Sequence, residues 1–319
     1  MARILAADIG GTNSRFAVFE GHEGRLEMGP SVWLPTREAG SFRQLLTNLE
    51  ASGLPLRPAD ADIVALAVAG PVTGGVRCNP PNIPWKVDLL SAREDFGFSR
   101  FILINDFAAQ ALAVRTAAMD GALELLPGQA DEQGVVGVIG AGTGLGKAAL
   151  APDGRGGWLA LSTEGGHSLF PFSGSEEFEF QGFLMQRTGC RQITGDMVVS
   201  GRGLSALHAF HAGEELTPAE VAAALGNQPL VLEWAARFYG RACRHMALDL
   251  LALGGVVVSG GVAAKTPGLV THGAFGTEFH FSETHGKLLA GIPVRLNRCE
   301  ESGLWGAAFS AVQKLSSGS

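Results

Sequence analysis

Two stretches of this chain share one design, and that design restricts the fold more than anything else in it. Residues 3–9 (RILAADI) are an apolar run of strand type that meets Gly10-Gly11-Thr12-Asn13 before a second apolar segment, Arg15 to Phe19. Residues 135–139 repeat the pattern: an apolar run meets a glycine turn, Gly140 to Gly146, and Lys147 to Ala151 returns from it. Each reads as a β-hairpin closed by a glycine turn. Each also opens one half of the chain, which points to an α/β fold with an internal duplication.

Length agrees with two halves. A chain of 319 residues exceeds one ordinary core, and domains of ~150 residues each are the usual solution. Hydrophobic residues make up 46% and charged residues 17%, a globular composition with ample material for two cores. Glycine, at 45 residues, is about twice its usual ~7%, so the backbone turns sharply or approaches a ligand at many points. The net charge of −7 and the absence of a Lys/Arg block argue against nucleic acid or an anionic membrane as partner. Apolar runs such as Leu250 to Val258 fall short of the ~20 residues that a membrane span needs, and Asp8 breaks any signal-peptide core. Cys78, Cys190, Cys243 and Cys299 are far apart and show no CxxC spacing. Neither a zinc knuckle nor a disulfide framework is indicated, and reduced thiols in a cytoplasmic protein are the simplest reading.

Periodicity sets the remaining elements. Strands are expected at Leu26 to Trp33, Ile63 to Val68, Phe101 to Ile104, Val256 to Val258 and Val294 to Leu296. Helices are expected at about Ser41 to Ala51, Leu89 to Asp95, Phe107 to Ala118, Ala206 to His211, from Thr217-Pro218, at Leu230 to Ala252, and from Glu301 to Leu315. A capping box at Ser173 and Glu176 predicts a helix through Phe178 to Gln186. A first domain then spans residues 1–106, completed by the C-terminal helix of 301–319, and a second spans 107–300. Residues 79–85 (NPPNIPW) form a stiff loop able to wall a pocket.

The chemistry is concentrated where strands end. In FILINDFAAQALAV, residues 101–114, a buried strand stops at Asn105 and Asp106 and a helix starts at once. That junction is where open α/β proteins place ligands, although an Asp there also serves simply as a helix cap. The segment GAGTGLGK is not a Walker loop, because Ala141 takes the place of its first Gly and Ala148 follows Lys147. It is not GxGxxG either, since Leu145 occupies the last position. What it offers, like Gly10 to Asn13, is a turn with a Thr hydroxyl and several N–H groups able to converge on an anion. His208 and His211 have helical i, i+3 spacing, but no Cys or acid accompanies them in a ligand pattern.

Taken together, AADIGGTNSRFAVFE, LINDFAAQALAV, GAGTGLG, EGGH, SGG and GLWGAA follow one another in an order and spacing that resembles the bacterial glucokinases of the non-ROK type, within the actin-like ATPase and sugar-kinase superfamily. The resemblance covers nearly the whole chain. It implies a two-domain, ribonuclease H-like fold with an interdomain cleft, and transfer of the γ-phosphoryl group of ATP to the 6-hydroxyl of glucose, the first step of glycolysis. It further implies that Asp8 faces Mg²⁺ through water. ATP would be bordered by Ala7, Asp8, Ile9, Gly10, Gly11, Thr12, Asn13, Gly140, Gly142, Thr143, Gly144, Gly146, Gly260 and Gly261. Asn105, Asp106, Glu164, His167 and Asp196 would surround the sugar, with Asp106 as catalytic base, and a homodimer is common in the family. One position departs from the pattern: Asp196 stands where these enzymes usually carry Glu. A side chain one methylene shorter moves the sugar, recruits a water or loosens discrimination at one hydroxyl, which leaves another hexose or a hexosamine open as substrate. A sugar-sensing regulator that lost catalysis is disfavoured by Asp106, by both glycine turns, and by a first strand beginning at Arg3 with no room expected for a DNA-binding domain ahead of it.

Overall fold

The apolar run that opens the chain is a central strand, buried on both faces. The computed structural model describes residues 2–22 and 25–316. The first part runs β1 (Ala2–Ile9), β2 (Asn13–His22), β3 (Arg25–Pro35), α1 (Phe42–Ala51) and β4 (Ile63–Val68). Three two-residue strands follow, β5 (Val72–Thr73), β6 (Arg77–Cys78) and β7 (Val87–Asp88), which form a small sheet of their own. Then come α2 (Leu89–Phe96), β8 (Phe101–Asn105) and α3 (Asp106–Ala113). The main sheet has the order β3-β2-β1-β4-β8.

Alternation along β1 sends successive side chains to opposite faces. Leu5, Ala7 and Ile9 join Leu45, Leu46 and Leu49 of α1 and Phe96 of α2 in one core. Ile4 and Ala6 join a second core with Ala65 and Ala67 of β4 and Leu304, Ala307, Ala308 and Ala311 of the C-terminal helix. The residues of this second face are small, so the helices lie close to the sheet.

The second part contains β9 (Leu123–Leu126), β10 (Val136–Ala141), β11 (Leu145–Pro152), β12 (Trp158–Thr163), α4 (Ser175–Thr188), α5 (Gly195–Val198), α6 (Gly201–Ala212), α7 (Pro218–Ala224) and α8 (Pro229–Leu250). It continues through β13 (Gly255–Ser259), α9 (Gly261–Lys265), α10 (Gly268–Thr271), α11 (Gly273–His280), α12 (Gly286–Gly291) and β14 (Val294–Leu296), and α13 (Ser302–Ser316) closes the chain. The second sheet has the order β12-β11-β10-β13-β14-β9. Its inner strands repeat the first sheet. β10 is antiparallel to β11 and parallel to β13, and β13 is parallel to β14. In the first sheet β1 is antiparallel to β2 and parallel to β4, and β4 is parallel to β8. The helical side of the second part holds an aromatic core in which Phe180 and Phe238 stack at 6.0 Å.

By contacts the chain divides into a unit of residues 1–121, 153–160 and 299–319 and a unit of 122–152 and 161–298. The first division falls at 121 rather than at 106. The physical reason is that α3 packs on α13 and therefore stays with the first sheet. At their contact, a Cβ on Gly306 of α13 would collide with the carbonyl oxygen of Ala109 on α3. Gly306→Ala is thus expected to cost about 1–3 kcal/mol by overpacking. Thermal unfolding followed by circular dichroism should show a Tm lower by roughly 2–12 °C.

Other local expectations change. The capping box at Ser173 and Glu176 does not form: Gly174, at φ 82°, is the N-cap of α4 and makes no side-chain cap bond. The Ser173 N–H instead donates to Glu177 Oε2 at 2.8 Å. A capping box does form at Thr217 and Glu220, at the start of α7. Helix α6 begins at Gly201 rather than Ala206, capped by Ser200. Its first turn lies so close to Val198 that only Gly203 fits there. The strands β9 and β12 carry no strong alternation of buried side chains and were not evident from pattern.

Candidate active site

In the first unit the candidate residues gather at the carboxyl ends of β1 and β8. Asp8 lies at the end of β1, with Ala7 and Ile9 on either side buried in the core, so those two can meet a ligand only through backbone. Burial raises the Asp8 carboxyl above its usual range, and the Arg15 guanidinium, 3.8 Å away, works in the opposite direction. Arg15 in turn donates to the Glu300 carbonyl at 2.6 Å and stacks over Trp33. Gly303 of α13 closes the other side: a Cβ there would stand 2.6 Å from Asp8 Oδ2. A side chain at 303 would therefore displace the carboxylate.

The turn that follows is self-braced. The Gly10 N–H donates to the Asn13 carbonyl at 3.1 Å, and the Thr36 N–H donates to the Thr12 carbonyl at 2.9 Å. Gly11 backs onto the proline loop, where a Cβ would meet Asn82 at 3.0 Å. That loop is itself anchored by the Trp85 indole, which donates to the Ala39 carbonyl at 2.7 Å. Thr12 and Asn13 are exposed.

At the β8–α3 junction the two polar residues take different parts. Asn105 is the N-cap: its Oδ1 accepts from the N–H groups of Phe107 at 2.9 Å and Ala108 at 3.2 Å, and its Nδ2 donates to the Gly70 carbonyl at 3.2 Å. Asp106 is the first residue of the helix, and its Oδ1 accepts from the Phe107 N–H at 3.0 Å. Helix capping therefore does not depend on Asp106. Burial, reinforced by the charge of Asp106, pushes the neighbouring Cys78 thiol up to about 11, which keeps it protonated and unreactive at neutral pH.

In the second unit the glycine turn and the polar residues are held by one another. The hairpin β10–β11 pairs Gly140 with Gly146 and Ala141 with Leu145, and the Gly142 N–H donates to the Gly144 carbonyl at 2.8 Å. Thr143 is exposed at its tip. The buried Tyr239 hydroxyl accepts from the Ala141 N–H at 3.1 Å and fixes the strand end. Gly260 has φ 89°, and a Cβ there would stand 2.7 Å from the Ala141 carbonyl oxygen, so both conformation and space require glycine; Gly261 follows as the first residue of α9.

Glu164, His167 and Asp196 converge. His167 Nε2 lies 3.8 Å from Glu164 Oε2, and its Nδ1 lies 3.4 Å from Asp196 Oδ1. Asp196 Oδ1 also accepts from the Thr194 hydroxyl at 2.5 Å, and Oδ2 is bonded by Arg202. Gly144 abuts the same carboxylate, at 3.7 Å from a Cβ placed on it. The turn proposed for phosphate and the residues proposed for sugar are thus contiguous within this unit. Arg15, Arg202, Thr194 and Gly303 were not singled out from sequence. Arg15 and Gly303 lie within the motifs AADIGGTNSRFAVFE and GLWGAA, and Arg202 stands between two glycines.

No three His, Cys, Asp or Glu side chains among the described residues group into a metal cage. A lone carboxylate beside a glycine turn suits Mg²⁺, which keeps most of its waters and takes one or two carboxylates plus substrate phosphates. Asp8 fits that demand. His208 bonds through Nδ1 to the Glu214 carbonyl at 2.9 Å.

The fold belongs to the sugar-kinase class. Aligned with the crystal structure of a glucokinase from an Antarctic psychrotroph, 98% of this chain and 99% of that one superpose with a TM-score of 0.84 at 27% identity. A glucokinase from Balamuthia mandrillaris, solved in complex with glucose, matches 98% of this chain and 94% of its own with a TM-score of 0.80 at 20% identity, a likeness of fold. Within the class, the Glucokinase family model matches residues 5–314, and the chain belongs to that family. The glucokinase of Pseudomonas paraeruginosa is 33% identical over 328 aligned positions, covering 98% of this chain and 93% of the relative.

Proposed function

We propose that the protein is an ATP-dependent glucokinase that transfers the γ-phosphoryl group of MgATP to the 6-hydroxyl of glucose. The observation that carries this reading furthest is the separation of duties at the β8–α3 junction. Asn105 caps the helix, and the Asp106 carboxylate stands beside it at the carboxyl end of a central strand, where open α/β folds place their chemistry.

Phosphoryl transfer needs positioning and charge neutralisation more than covalent participation by the protein. Bound Mg²⁺ would neutralise phosphate charge, with Asp8 ordering its water shell. The turns Gly10 to Asn13 and Gly140 to Gly146 present backbone N–H groups to phosphate, and Gly260 and Gly261 leave room for the nucleoside. Asn105, Glu164 and His167 orient the sugar, Asp196 does so from the buried wall through the groups bonded to it, and Asp106 accepts the proton of the attacking hydroxyl. A carboxylate is a far weaker base than an alkoxide. Its main effect is therefore to orient the oxygen, with proton transfer late. A cytoplasmic homodimer fits this reading; among the described residues no helix is long and apolar enough to cross a membrane.

ADP release coupled to sugar, measured with ATP and glucose, mannose, fructose or N-acetylglucosamine, tests the proposal. Glucose should give the highest kcat/KM. A different preferred sugar would replace glucose in the reading, and glucose binding without ADP release would make the protein a sensor.

A further inference from the structure

We propose that Arg202 is a specificity-determining residue of the sugar site, and that Asp196 serves as its anchor. The inference rests on the kinase reading above. It starts from exposure. The side chains of Glu164, His167 and Arg202 are 64%, 65% and 56% exposed, whereas that of Asp196 is 3% exposed. Solvent reaches the first three side chains far more than it reaches Asp196.

The Asp196 carboxylate is also occupied. An ionised carboxylate offers about four lone-pair directions. Oδ1 takes the Thr194 hydroxyl at 2.5 Å and faces His167 Nδ1 at 3.4 Å, and Oδ2 takes Arg202. Arg202 Nε reaches the Asp196 carbonyl oxygen as well, at 3.4 Å, so the guanidinium is held at two points. Two directions carry hydrogen bonds and a third faces His167, which leaves about one, where a pair of vicinal sugar hydroxyls needs two.

The chemistry of the corner is thereby inverted. A guanidinium has five N–H donors and no acceptor. Two of them hold Asp196, and the others belong to a side chain more than half exposed. The short Asp side chain keeps its charge buried, and the arginine that it holds reaches solvent. A sugar oxygen at this corner accepts a hydrogen bond from Arg202 instead of donating one to a carboxylate. The substrate class favoured is a hexose whose substituent there is an acceptor, whether hydroxyl, fluorine or the carbonyl of an acetamido group.

Deoxy and deoxyfluoro analogues of glucose separate the two cases, since fluorine accepts weakly and cannot donate. At one ring position the fluoro analogue should stay within about threefold of glucose while the deoxy analogue binds about tenfold or more weaker, the range of a hydrogen bond to a charged group. In Arg202→Ala the fluoro analogue should fall to the deoxy level, and the KM for glucose should rise about ten- to a hundredfold with kcat changed far less. Arg202→Lys should lie between. Equal losses for fluoro and deoxy analogues at every position of the wild-type protein would overturn the proposal, and that comparison stands even if the alanine variant fails to fold. The panel is read both by ADP release and by calorimetric sugar binding. Binding that keeps the donor pattern without ADP release would overturn the kinase reading alone.

Discussion

Asp106→Asn is expected to lower kcat by about 10²- to 10⁴-fold, the usual contribution of a positioned acid–base group. Glucose affinity measured by calorimetry should change little. The substitution is nearly isosteric, and the amide oxygen can still accept from the Phe107 N–H as Oδ1 does at 3.0 Å. Asn105 keeps the cap, with its bonds to Phe107 and Ala108 untouched. The fold should therefore survive, and the loss should fall on the chemical step rather than on binding. Undiminished turnover in the variant would remove Asp106 from the reaction.

The largest stability effect is expected at Arg241→Met. Arg241 is buried in the second unit, where its Nη1 bonds Glu177 Oε2 at 2.5 Å, its Nε bonds Glu278 Oε1 at 2.8 Å, and its Nη1 also reaches the Pro171 carbonyl at 2.9 Å. Removing one partner of a buried pair usually costs about 3–5 kcal/mol, because the other charge is left uncompensated. Two neighbours soften the loss: Arg244 lies 2.9 Å from Glu278, and Arg237 lies 3.4 Å from Glu177. The expected cost is therefore at the low end, about 3 kcal/mol, read as a Tm lower by roughly 6–12 °C.

The same cluster gives this difference a pH dependence. Burial acts to raise the Glu278 carboxyl, but Arg241 and Arg244 outweigh it and hold the group below its usual range. A depressed carboxyl contributes stability above its unfolded value of ~4.3 and loses it as pH falls through the lower folded value. The gap between wild type and Arg241→Met should narrow below about pH 4. A gap that stayed constant from pH 7 to pH 3 would assign the effect to packing rather than to charge.

Much of the architecture was legible in residue pattern. The run RILAADI had to be a strand, and β1 covers it, because its apolar residues fill both faces of a sheet with period two. The duplicated hairpins, the long helix α8 and the sugar-kinase fold also followed from local signals and from their order along the chain. What local pattern mistook was settled by partners distant in sequence. Ser173 carried a capping signature that Gly174 overrode through its left-handed backbone. Helix α3 follows the strand that closes the expected first domain, yet α13, nearly two hundred residues later, packs against it and keeps it with the first sheet.

The site divides in the same way. Residue order along the chain places the chemical groups at the strand ends: Asp8 beside one glycine turn, Asn105-Asp106 after a buried strand, and Glu164 and His167 in one Gly-Gly turn. Backbone period and turn chemistry are local, so they can be read from neighbours in the chain. What those side chains do with their hydrogen bonds follows from packing between distant elements. It gave the helix cap to Asn105, set Gly303 against Asp8, and engaged the Asp196 carboxylate with Thr194 and Arg202. Charge pairing and close approach depend on separations of a few ångströms between distinct elements, and no sequence spacing encodes those distances.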